Sequence, residues 1–152
     1  MFGIENSKDK LFQLEENFKM LKQDPLNVSL AEKACSDAWH LIDWVLVDQK
    51  AINPLLTKGQ FRTRVYIECA EMKILHDLVN TEKHRELDRP KMIITETKKR
   101  GGAFSSAFSK DFDVSRLEIH FENQSKIDVD DLVKIAIDYW RNIILQTNRI
   151  VE

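Results

Sequence analysis

Cysteine, long apolar runs and an excess of either charge are all scarce in this sequence, and each scarcity excludes something. Only two cysteines, Cys35 and Cys69, occur in 152 residues. Each falls within a helix-like pattern and neither has a second thiol at short spacing, so buried thiols are expected rather than a disulfide framework or a redox pair. Against 25 acidic residues stand 23 basic ones, for a formal net charge of -2, which excludes a global positive field that gathers nucleic acid. No apolar stretch approaches the roughly 18 residues that span a bilayer, and the opening MFGIENSKDK has no hydrophobic signal segment. No membrane association is expected, and cytoplasmic residence follows by elimination. There is no internal repeat and no low-complexity tract. Gly101-Gly102 lacks the spacing and the Lys-Ser/Thr ending of a phosphate loop, and Ser105, Ser106 and Ser109 have no neighbouring pattern that marks a base or an oxyanion hole.

What is present describes a folded protein. Hydrophobic residues make up 43% of the chain and charged residues 32%, which suits a single domain over residues 1–152. Leu11, Leu14, Phe18 and Leu21 recur at three and four residues, marking an amphipathic helix from Ile4 to Leu21 that Asp24 and Pro25 end. A second helix, about Val28 to Ile52, carries Ala31, Ala34, Cys35, Ala38, Leu41, Ile42 and Val45 on one broad side. Trp39 and Trp44 widen its packing surface, and His40, Asp43 and Asp48 mark its wetter side. After Asn53-Pro54, LLTKGQFRTR reads as a linker with at most a short helical turn around Gly59. A third helix is expected to run unbroken from about Arg64 to Leu87, stopped before Pro90.

Beyond Pro90 the pattern becomes β-like. Met92 to Thr97 is β-branched, and Leu117, Ile119 and Phe121 alternate with Arg116, Glu118, His120 and Glu122. Glu122 to Ser125 can turn the chain into a further extended piece, Lys126 to Val129. KKRGGAFSSAFSKDFD, between these elements, reads as a mobile loop anchored by Phe104, Phe108 and Phe112. Asp128 or Asp130 can cap a last helix that reaches about Asn148, packing through Leu132, Ile135, Ala136, Tyr139, Trp140 and Ile143. The expected fold is mainly α: a four-helix up-and-down bundle with a small antiparallel β-hairpin or three-stranded insertion, about residues 91–129, before the last helix.

HDLVNTEKH, residues 76 to 84, carries the clearest functional signal. At about 100° per residue, His76, Asn80, His84 and Asp77 fall at roughly 0°, 40°, 80° and 100°, whereas Met72, Leu75, Leu78 and Val79 lie between about 200° and 320°. A polar stripe turned away from the apolar side is expected, available to water, a second subunit or a ligand. His84 suits general acid or base work and Asn80 the orientation of a phosphate or an imidazole. Cleavage of RNA by its own 2'-hydroxyl further needs a cation against the developing phosphorane, for which Lys83 and Arg85 are the nearest candidates. His76, Asp77, Lys83 and Arg85, with Lys98, Lys99 and Arg100 beyond them, form a candidate binding surface, and residues 85–100 hold an excess of three positive charges. A plain solvated face or polar subunit contact satisfies the same pattern. Neither a metal nor a cofactor is expected, because His76 and His84 stand about 12 Å apart along a helix.

DAWHLIDWVL in the second helix and the Cys69-to-His84 segment ending in NTEKH together resemble the HEPN superfamily (higher-eukaryote and prokaryote nucleotide-binding domains), in particular its small bacterial members. The resemblance spans roughly residues 10 to 148. It implies a helical bundle that commonly forms a homodimer, and in active members a metal-independent ribonuclease in which four residues separate an arginine from a histidine, often with a polar residue directly after the arginine. Carried over, the histidine is His84 and the polar residue after the arginine is Asn80. The arginine position holds Val79, which has no charge to set against a phosphate. The resemblance therefore implies an accessory or interaction protein, homodimeric and with a protein or RNA partner, and as the alternative a divergent endoribonuclease using His84 and Asn80 across a dimer interface. A small-ligand domain with the hairpin and the Gly101-Gly102 loop as a lid is a third expectation.

Overall fold

A computed structural model describes residues 3–84, 108–109, 117–121, 123 and 125–151. Its elements run α1 (Ser7–Gln23), α2 (Val28–Ile52), α3 (Lys58–Glu68), α4 (Glu71–His84), β1 (Phe108–Ser109), β2 (Glu118–His120), β3 (Lys126–Asp128) and α5 (Val129–Val151). The chain is thus mainly helical, with a small antiparallel sheet before the last helix and the helices packed as a bundle.

Side-chain caps set the first boundaries. Asn6 accepts from the amide of Asp9 at 2.9 Å and starts α1 at Ser7 rather than Ile4, and Asn27 accepts from Leu30 at 3.1 Å to start α2. Contacts between helices fix their directions. Asn17 meets Asp37 and Ser7 meets Asp48, so α1 and α2 run antiparallel. The Trp140 indole donates to the carbonyl of Ala38 at 2.8 Å, and the Gln49 amide donates to Thr147 at 2.7 Å, so α5 runs parallel to α2. Leu14, Leu21, Ala34, Ala38, Leu41, Leu132 and Trp140 fill the space between these three helices.

Two expectations about the middle of the chain are corrected. The presumed linker is a helix of 11 residues, α3, opened by a capping box in which Thr57 and Gln60 bond each other's backbone amides at 3.1 and 3.0 Å. That reciprocal pair, within the stretch expected to be a linker, is what lets a helix start before Arg64. The expected continuous helix from Arg64 to Leu87 is broken at Cys69 and Ala70: Cys69 is extended (φ -145°, ψ 90°), its amide closes α3 on Val65, and the amide of Met72 bonds back to the Cys69 carbonyl as α4 starts. Neither glycine nor proline marks this break. It comes from packing, since α3 buries Phe61 and Val65 while α4 turns Met72, Leu75 and Leu78 fully into the core.

The sheet has the order β1-β2-β3, all antiparallel, with Ile119 opposite both Phe108 and Ile127. Asn123 accepts from the Ser125 amide at 3.0 Å and Phe121 bonds Ser125, which closes the expected turn. β1 lies within the segment read as a loop; the expected strand at Met92 to Thr97, and Phe104 and Phe112, fall outside the described residues. Leu117, Ile119 and Phe121 face the core as their alternation requires. Glu118 is buried as well, held by Lys126 at 3.0 Å and His120 at 3.5 Å. Among the described residues, no helix is long and apolar enough to cross a membrane.

Candidate functional site

The polar face of α4 does not point where its spacing suggests. His76 is 7% exposed and Asp77 is 1% exposed, so residues 74 to 79 are buried without interruption. The stripe expected to face water is interior at its first half because α4 is enclosed by neighbouring helices, which a helical wheel of one element does not reveal. Asn80 is half-buried. Lys83 and His84 fall in the last turn of α4, and Arg85, Lys98, Lys99 and Arg100 lie outside the described residues.

Around His76 three helices assemble an aromatic and charged cluster. Trp39 of α2, itself 4% exposed, stacks on the imidazole with ring centroids 4.2 Å apart and planes 11° from parallel. Tyr66 of α3 presents its hydroxyl to His76 Nδ1 at 2.5 Å. Arg62, one turn before Tyr66 on α3, holds its guanidinium 5.6 Å from the Trp39 ring centre, a cation-π distance. Its Nε is buried and has no hydrogen-bond partner among the described residues. Lys73 of α4 stands 5.7 Å from the ring centre of Tyr66. An indole, a phenol and an imidazole lie within 20° of parallel, with one cation near the indole and another near the phenol.

The electrostatics limit what this cluster does. Burial pushes the Tyr66 hydroxyl up to about 12; the Arg62 guanidinium opposes that rise and the Asp77 carboxylate adds to it. Tyr66 therefore keeps its proton at neutral pH and serves as a hydrogen-bonding group rather than as a phenolate nucleophile. Which of Tyr66 and His76 donates depends on the imidazole tautomer. With the imidazole covered on its face by Trp39 and occupied at Nδ1 by Tyr66, His76 joins α2, α3 and α4.

Sequence reasoning found His76 and Asp77 but missed Arg62, Tyr66 and Lys73 as their neighbours. The available signal was the i, i+4 spacing of Arg62 and Tyr66, which carries meaning only once α3 is known to be a helix. Trp39, read as a packing residue, is one, and it is also the platform of the cluster. On the wetter side of α2, His40 and Asp43 are exposed, and the His40 ring bonds the Ser36 carbonyl of its own helix at 2.8 Å. Cys35 and Cys69 are buried thiols, as expected, and burial followed by the neighbouring Glu71 pushes the Cys69 thiol up to about 11. Asp128, Asp130 and Asp131 bring carboxylate oxygens within 4.8 Å of one another at the start of α5, where negative charge is favourable toward the helix dipole. No family model matches this chain, and neither a curated protein nor a solved structure matches it.

Proposed function

We propose that the chain is a cytoplasmic, HEPN-like interaction protein that works as a homodimer and recognises a partner without catalysing a reaction. The observation that carries this reading is the enclosure of His76 and Asp77. His76 and Asp77, expected on an open binding stripe, are interior, and His76 joins helices, which leaves Asn80 and the last turn of α4 as the part of the stripe suited to meeting another subunit. The HEPN resemblance supplies the dimer, and Val79 in place of the motif arginine supports an accessory role.

A divergent metal-independent endoribonuclease is the second reading, and one geometric feature favours it. Arg62 brings a guanidinium from α3 to the cluster that begins the stripe, so a cation need not come from position 79. In that reading His84 and Asn80 act across the dimer, with Arg62 supplying positive charge at the His76 end of the stripe.

Light scattering after size exclusion and an RNA cleavage assay with and without EDTA separate the two. The interaction reading expects a dimer mass for the parent, for Asn80→Ala and for His84→Ala, with no cleavage by any of them. A monomer mass overturns the dimer. EDTA-insensitive cleavage that disappears in His84→Ala at unchanged mass overturns the non-catalytic assignment.

A further inference from the structure

Further along α2 the start of α1 leaves a groove of about 370 Å³ against the second half of that helix. Its apolar lining comes from Trp44, which is half-buried, and Val47, which is 69% exposed. Its edges are acidic, formed by Glu5 ahead of α1 and by Asp43 and Asp48 on α2. Ser7 donates to Asp48 and so holds that carboxylate in the wall. Lys58 reaches Asp43 only at 3.7 Å with both side chains about half exposed, a screened pair that another cation can displace.

From this combination we infer that the groove binds an arginine side chain of a basic peptide segment on a partner protein. An apolar lining that includes the Trp44 indole suits the flat guanidinium and its methylene stem, and the neighbouring carboxylates suit its N–H donors. The same three acidic groups repel phosphate and nucleic acid, which sets this groove apart from any RNA surface. Lysine fits less well, because its compact ammonium is strongly hydrated and has no planar face to lay on Trp44. The inference does not depend on the HEPN resemblance or on the cluster at His76.

Tryptophan fluorescence supplies the readout. Of the three tryptophans, Trp39 and Trp140 are buried and Trp44 is half-buried beside the groove, so shielding from acrylamide by an added ligand reports on Trp44. Hexa-arginine amide is expected to shield that emission saturably, with binding that weakens as salt is raised. The double variant Glu5→Gln/Asp43→Asn changes two exposed edge residues and should keep the parent melting temperature while binding about tenfold more weakly. Absence of saturable shielding up to about 1 mM peptide, or unchanged affinity in the double variant, overturns the site. Equal affinity for hexa-lysine amide overturns the assignment to arginine.

Discussion

His76 lies with its ring nearly parallel to Trp39 and its Nδ1 against the Tyr66 hydroxyl, so the consequences of changing Tyr66 reach beyond one side chain. Tyr66→Phe keeps the ring and removes that bond, and a loss of about 1 kcal/mol of unfolding free energy is expected in urea titrations. The pH dependence has a definite sign. Because the folded-state value is raised to about 12 from an ordinary 10, the proton binds more tightly in the folded chain. This contribution is complete below about pH 10, where both states are protonated, and is lost as pH rises from there through about 12. Tyr139 acts in the same direction: burial and its 2.6 Å bond to the Glu68 carboxylate push its hydroxyl well above the ordinary range. Stability measured across alkaline pH should therefore fall in the parent, less in Tyr66→Phe, and least in Tyr66→Phe/Tyr139→Phe. An equal fall in all three would remove both phenols from the account.

At the scale of elements, α3 depends on its capping box, and Thr57→Ala should lower unfolding free energy by about 1 kcal/mol. Helix α3 also reaches its neighbours through Gln49, which donates to Thr147 of α5 and accepts from Arg64 at 3.0 Å. Gln49→Ala severs both links, and a loss of about 1–2 kcal/mol by denaturant titration is expected. In the sheet, the hydrogen bond from Lys126 is the main reason the Glu118 carboxyl sits below its ordinary value, with burial opposing it. That contribution is present above the ordinary carboxyl range and lost as pH falls through the lowered value, so Lys126→Ala should reduce the acid sensitivity of stability. These elements also show what a sequence conveys. Helices α1, α2 and α5 are legible because their apolar positions repeat over several turns, and the β2-β3 turn because alternation stops at Glu122. The break at Cys69 and Ala70 is not legible, since each half continues the same angular pattern and only packing against α2 and α5 separates them. The candidate site shares this limit: the spacing of His76, Asp77 and Asn80 suggests an open face, whereas His76 and Asp77 are buried and the residues that cover His76, Trp39 and Tyr66, come from α2 and α3.

For the whole molecule, α1 and α2 form a helical hairpin whose inner side is completed by α5. The pairs Ala38–Trp140 and Gln49–Thr147 join positions 102 and 98 residues apart. Closing so long a loop delays these contacts relative to those within the hairpin. As a ribosome makes this protein, the greasy side of the hairpin emerges well before the helix that covers it. A chain shortened to residues 1–128 should consequently bind a hydrophobic dye that the full chain excludes, and a nascent chain halted at that length should be a substrate for chaperones.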